Sequence, residues 1–287
     1  MRGTSEQHAR LASPLVWILA GSLLGCSTLS ITYNYADWLI LWRIDGYFDL
    51  SAHQEAFLER RLAVFHARHR QESLPRYAAF LRQIRVYWHD GLTPDEIDSI
   101  FQGYLHLRAD LFHAIASDGA RFLATIDQVQ LQHFEEALQR ENQRLVKRVS
   151  GTPQERLTRR TEASLDWLED WFGQLTPEQA RHCAHLIREL PDTAEAWLAH
   201  RERRQQELVQ LLKSRESREA RESRLRKWLL DPEQSATPEY QQAMQRWRTV
   251  LKWIVWEIDQ TITWAQRAHA LEKLDWLARE VEGLASA

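Results

Sequence analysis

Five short stretches that start helices constrain this chain more than any other feature. The clearest is Thr176-Pro177-Glu178-Gln179. Threonine in the cap position accepts from a free amide of the first turn, and proline at the first helical position has no amide to leave unpaired. A glutamine or glutamate at the third position then reaches back to the cap. Thr93-Pro94-Asp95-Glu96, Thr152-Pro153-Gln154-Glu155 and Thr237-Pro238-Glu239 repeat the device, and Ser51-Ala52-His53-Gln54 is a version without proline. Stops are expected at Gly91, Gly119, Gly151 and Gly173, with Pro75, Pro191 and Pro232 breaking or restarting helices.

Between these marks the apolar residues recur with a helical period. Met244, Trp247, Leu251, Ile254, Ile258 and Ile262 form one stripe, widened by Trp253 and Trp256. Phe122, Ile126, Val129, Phe134, Leu138, Leu145 and Val149 form a looser one, and no stretch alternates for long enough to argue a sheet. The expected fold is all-α, an elongated bundle of about eight or nine helices. Thirteen tryptophans fit such a bundle, since wide rings fill the gaps between long helices.

The first 25 residues are set apart from that pattern. Arg2 and Arg10 precede the apolar run Leu11–Gly25, which is short for a bilayer span and contains Pro14. A positive start and a short apolar core are the anatomy of a secretory signal. The run closes on Leu23-Leu24-Gly25-Cys26, which resembles the bacterial lipoprotein signal. That resemblance implies cleavage after Gly25, acylation of Cys26 and, with Ser27 rather than aspartate next, the periplasmic leaflet of the outer membrane. The expected organisation is a signal peptide over 1–25 and a lipid-anchored helical domain over 26–287, with two lobes meeting near residue 150. Cys183 is left without an intrachain partner, so in an oxidising compartment it should be buried. The net charge is −3, and −4 without Arg2, Glu6 and Arg10. So small a charge on so long a chain implies no global attraction to nucleic acid.

The stretch Tyr33–Leu50, YNYADWLILWRIDGYFDL, is the most unusual. Asn34 and Asp37 have the spacing of a cap and its third position, Asp45-Gly46 reads as a stop, and Asp49 and Ser51 supply the next cap. The helix between is apolar nearly all round, so it is buried either in protein or in lipid. Arg43 is its one basic residue, which favours the core over a charged interfacial helix. The alternative is a membrane-proximal or binding surface of Trp38, Trp42, Asp45 and Tyr47, since the helix starts within about 30 Å of Cys26. Cys26 followed by this stretch and by HRQESLPRYAAFL (His69–Leu81) resembles an uncharacterised family of proteobacterial lipoproteins, catalogued as a domain of unknown function. The resemblance implies a helical, lipid-anchored envelope protein and supplies no activity.

Candidate chemistry is thin. His182, Cys183 and His185 have ligand types that zinc accepts, as do His66 and His69, but a closed site needs four ligands. Asp45 with Asp49, or Asp166 with Asp170, could serve as acid and base on a glycan; as caps and solvated faces they need no chemistry. No nucleophile elbow, zinc-protease or phosphate-loop motif occurs, and no cofactor is expected. Lys213–Arg224 has Ala220 as its one apolar residue, and reads as an exposed helix extension or a flexible arm. Arg215, Arg218, Arg221 and Arg224 lie within a region, 201–227, of ten basic and five acidic residues. They are candidates for an anionic envelope surface, or a solvated face laced with Glu–Arg pairs. Finally, LTPEQ at Leu175–Gln179, echoed by LSAHQ at Leu50–Gln54 and LTPDE at Leu92–Glu96, is similar to the L-T-x-x-Q repeat of Spy/CpxP-like periplasmic chaperones. Those are all-helical cradles, much shorter than this chain. The expectation is a non-enzymatic envelope protein that binds another envelope component, with a chaperone-like or stress-related role as the alternative and a cell-wall glycan hydrolase as the outsider.

Overall fold

The computed structural model describes residues 27–233 and 235–286, and among these there are helices and no strand. Leu23, Leu24, Gly25 and Cys26, where the lipoprotein signal is expected to end, lie outside the described residues. The helices are α1 (Ser27–Asn34), α2 (Ala36–Phe48), α3 (Ala52–Arg68), α4 (Leu74–Trp88), α5 (Pro94–Leu123) and α6 (Gln128–Val149). They continue with α7 (Pro153–Phe172), α8 (Pro177–Glu189), α9 (Ala194–Lys213), α10 (Arg218–Leu230), α11 (Pro238–Asp259) and α12 (Trp264–Ser286). The all-α expectation holds, while the helix count exceeds eight or nine. No helix among the described residues is long and apolar enough to cross a membrane.

The helix starts behave as their chemistry requires. Ser51, Thr93, Thr152, Thr176 and Thr237 each accept from a first-turn amide at the start of α3, α5, α7, α8 and α11. The stops are less uniform. Gly91, Gly151 and Gly173 take positive φ, where an L side chain is strained. Gly119, expected to end a helix, lies inside α5. A methyl group there would come within 3.3 Å of Leu229 Cδ1, so the missing side chain lets α10 sit close on α5, beside the fully buried Ala116 and Ala120. Pro75 restarts a helix as expected, with no loop before it. Residues His69–Ser73 widen into a π turn, the Leu74 amide donating to His69 O, and α4 resumes with the proline in its first turn. The extra residue absorbs the conflict between the proline ring and the preceding carbonyls.

Two buried clusters organise the molecule. One joins Phe48, Leu58, Phe122, Leu131, Phe134, Leu208, Leu212 and Leu225, from α2, α3, α5, α6, α9 and α10. The other joins Trp171, Phe172, Cys183, Ile187, Ile254, Ile258 and Leu274, from α7, α8, α11 and α12, with Leu81, Ile84 and Trp88 of α4 against it. Each therefore combines helices from before and after residue 150. The long α5, about 45 Å at 1.5 Å per residue, runs from the second cluster towards the first.

Four helix starts meet in pairs, and the pairs repeat each other. Gln54 and Gln130, both buried third residues of capping boxes, exchange amide bonds of 2.9 and 2.7 Å. Gln54 also donates to Thr125 Oγ1 (3.0 Å), and Gln130 to Asp49 O (3.1 Å). Gln179 and Gln266 exchange bonds of 2.8 and 3.0 Å, and donate to Thr261 O (2.9 Å) and Gln174 O (3.1 Å). Each carbonyl reached lies two residues ahead of the partner's cap, so each interlock fastens two interhelical turns face to face. A buried ion pair ties a further turn: Asp259 Oδ1 accepts from Arg267 (2.9 Å) and Trp88 Nε1 (2.5 Å), and Oδ2 from the Leu92 amide (2.8 Å).

Candidate functional site

The densest unassigned chemistry lies where α1 and α2 meet the π turn. α1 ends at Asn34, and Tyr35 (φ −104°, ψ 12°) makes a corner before α2. Asn34 thus closes one helix instead of capping the next, because its side-chain oxygen is taken by Arg70 Nη2 at 2.7 Å. Asp37 has no capping partner at Asn34 and accepts from the Trp38 amide. α2 also passes the expected stop at Gly46 and runs to Phe48, where Asp49 adopts φ 50° and its amide donates to Asp45 O. Aspartate tolerates this left-handed conformation better than most residues.

The π turn aims its side chains at α1. His69 Nδ1 lies 3.0 Å from Tyr33 Oη and its Nε2 3.2 Å from Tyr77 Oη, so one phenol donates and the other accepts according to the tautomer. Burial holds the His69 pKa below its ordinary value, and His66 adds to this; burial likewise raises both tyrosines. His66 meets the Tyr33 ring edge-on at 4.6 Å, with Nε2 buried and unpartnered. Arg70 lies over the Tyr33 ring and donates to Leu284 O at 2.9 Å, joining α1 to the end of α12. The His66–His69 spacing therefore serves an aromatic and hydrogen-bonded latch.

The four residues singled out on α2 separate. Trp38 and Trp42 are 59% and 62% exposed and stack on each other, 6.5 Å between centroids. Tyr35 (61%) and Ile31 share that side, with Leu39 and Ile40 exposed too, so assignment of this helix to the core is corrected for its outer face. Its inner face, Leu41, Ile44, Tyr47 and Phe48, does enter the first cluster. Tyr47 packs on Phe134 and accepts from Arg43, and Asp45 Oδ1 accepts from the Leu50 amide, which makes it a cap. An apolar pattern all round can mean one face in protein and one outside it.

The other candidates resolve individually. Cys183 is 1% exposed, as expected, with its thiol pKa raised by burial. His185 faces outward and His182 is half-buried beside it. Among the described residues no group of three or more His, Cys, Asp or Glu side chains is placed to hold a metal ion. Lys213–Arg224 is not a free arm: residues 214–217 turn the end of α9 into α10, Arg218–Arg224 form the first half of α10, and α10 packs on α5. Arg224 pairs with Glu216, Arg121 with Glu222, and Lys213 with Glu135. Arg215 and Arg218 are exposed, and Arg221 is half-buried with Nε unpartnered. Asp170 is held by Lys273 at 2.5 Å.

Among the described residues, two open clefts stand out. One, of about 500 Å³, lies over the first glutamine interlock between Asp49, His53, Thr125 and Asp127. The other, of about 390 Å³, is lined by Asp170, His269, Glu272, Lys273 and Trp276. Neither sets a nucleophile against a base with an oriented third group.

A family model described as a family of unknown function, DUF6279, matches residues 46–241. The chain belongs to that family. The DUF6279 match takes in the first glutamine interlock and Gln179, and begins after Trp38 and Trp42, so most of the Tyr33–Leu50 stretch precedes it. No curated protein and no solved structure matches this DUF6279 chain.

Sequence reasoning missed Tyr33, His69 and Tyr77 as a unit, the Asp259–Arg267 pair, and two of the four interlocked glutamines. Gln130 and Gln266 stand in Ile126-Asp127-x-x-Gln130 and Ile262-Thr263-x-x-Gln266. Allowing isoleucine for leucine and aspartate as a cap finds both.

Proposed function

We propose that this chain is an outer-membrane lipoprotein, acylated at Cys26, whose helical body faces the periplasm and works by binding another envelope component without catalysing a reaction. The observation that carries the reading is the junction at Cys26. The lipoprotein-like Leu23-Leu24-Gly25-Cys26 runs directly into α1 at Ser27, so a lipid on that thiol holds the bundle with no intervening linker. Two or more acyl chains give stable anchoring, where one is marginal. The non-enzymatic reading is supported by the carboxylates: Asp45 caps the Leu50 amide and Asp170 holds Lys273. Mass spectrometry of the mature amino-terminal peptide tests the anchor, with membrane fractionation beside a Cys26→Ala variant. An unmodified Cys26 thiol in mature protein from native cells overturns it.

A chaperone-like role is the second reading, and the glutamine interlocks favour it. The L-T-x-x-Q resemblance extends to four helix starts, and all four glutamines are used in the same way. Purified protein in excess should then slow aggregation of an unfolded test protein, and no effect at any ratio counts against this reading.

A further inference from the structure

We infer that Ile31, Tyr35, Trp38, Leu39 and Trp42 form a foot that rests in the headgroup layer of the bilayer, so that rings as well as lipid hold the body against the membrane. The inference rests on acylation of Cys26. α2 is apolar on two opposite sides, and one side is fully used: Leu41, Ile44 and Phe48 enter the first cluster. The other side has no protein on it among the described residues. At the exposures above, the two stacked indoles leave on the order of 150 Å² each uncovered, and the foot some 500 Å². That reaches the size of the largest apolar patches on ordinary monomers, and such patches mark interaction sites.

Lipid is the occupant because of what precedes the foot and what it lacks. With cleavage after Gly25, as the proposed reading has it, the acylated Cys26 is the residue directly ahead of α1. Trp38 is twelve residues beyond Cys26, about 18 Å at helical rise, so one surface can hold the acyl chains and both indoles when α1 and α2 lie along it. Tryptophan and tyrosine favour the level of the headgroups. From Ser27 to Ile44 the charged residues are Asp37, which is half-buried, and Arg43, which lies 3.5 Å from Glu141. The foot is therefore neutral, and its docking should change little with salt. A second copy or a protein partner is a poorer fit, since a stable protein interface buries about 800 Å² on each side. The latch gives the foot purpose: Arg70 fixes α1 to Leu284 O of α12, and His69 fixes Tyr33 to α4, so a foot lying flat sets the orientation of the whole bundle.

The test uses full-length protein purified from native membranes and reconstituted into phosphatidylcholine–phosphatidylethanolamine vesicles. Tyr35→Cys and Leu39→Cys keep both tryptophans, and Val129→Cys, at a residue 75% exposed on α6, is the remote control. Each is labelled with an environment-sensitive thiol dye; buried Cys183 stays unlabelled, so an acylated Cys26 gives one dye per chain and a free one gives two. Dye at 35 and 39 should be quenched several-fold more by lipid-borne quencher than by aqueous iodide, with the reverse at 129, from 0.05 to 0.5 M salt. Adding Trp38→Glu and Trp42→Glu to Leu39→Cys should make that dye accessible to iodide. One dye per chain with iodide access at 35 and 39 equal to that at 129 overturns the foot and leaves the anchor standing. Shielding from iodide without quenching by lipid means a protein occupant, and also overturns it. Two dyes per chain overturn the anchor itself.

Discussion

Gln179→Ala is expected to destabilise the protein far more than its place in a helix start would suggest. In an exposed capping box the third residue returns one bond to the cap, and losing it costs about 1 kcal/mol or less. Gln179 does more. Its Oε1 accepts from the Thr176 amide (3.0 Å) and from Gln266, while its Nε2 donates to Gln266 and to Thr261 O. Four bonds at roughly 0.5–1.5 kcal/mol each, made at a buried residue, put the loss at about 3–4 kcal/mol. Part of that is the penalty of stranding Gln266 and Thr261 O rather than the worth of the bonds. Gln179→Leu with Gln266→Leu removes both partners together and should cost less than the sum of the single changes, by about 1–2 kcal/mol. Glu96→Ala is the reference, because Thr93-Pro94-Asp95-Glu96 forms the same box facing solvent. Urea unfolding followed by far-ultraviolet circular dichroism gives midpoint and slope for each variant. A Gln179→Ala midpoint no lower than that of Glu96→Ala, or strict additivity in the double variant, would refute the interlock as a unit.

Asp259→Ala strands a buried guanidinium together with Trp88 Nε1 and the Leu92 amide, and should cost about 3–5 kcal/mol in thermal or urea unfolding; Arg267→Met in the same chain should recover part of it. Gly103→Ala ought to gain about 1 kcal/mol from helix propensity. Its new methyl, however, would fall 2.4 Å from Phe80 Cε2, so the net effect in the same assay should be a loss of about 1–3 kcal/mol. His69 has a folded pKa below its unfolded one, so it contributes stability above the ordinary imidazole value, and that stability is lost as pH falls from about 6.5. His69→Gln should flatten the fall in unfolding midpoint between pH 7.5 and 5. Cys183 should resist a thiol-specific chromogenic reagent until denaturant opens the second cluster, because its thiol is buried and its pKa raised.

Local chemistry wrote much of this fold plainly. A cap, a proline and a returning glutamine or glutamate involve residues within one turn, so Ser51, Thr93, Thr152, Thr176 and Thr237 could be read without knowing what packs where. Helical period carried the all-α class for the same reason. Gly119 was misread because the same residue type answers to a tertiary need, the close approach of α10, whereas Pro75 does start a helix, but directly after a π turn that only the structure shows.

The sequence by itself determined the all-α class, the starts of α3, α5, α7, α8 and α11, and that Cys183 is buried. Tertiary structure alone decided which helix starts face each other, why Gln179 has a partner and Glu96 has none of that kind, and which side of α2 stays uncovered. Hydrogen bonds inside one turn depend on neighbours in the chain, whereas the partners of Gln54 and Gln179 lie 76 and 87 residues away. Burial of an apolar side chain depends likewise on what folds back onto it: Leu41 packs against the first core cluster, while Trp38, three residues earlier, is left exposed among the described residues.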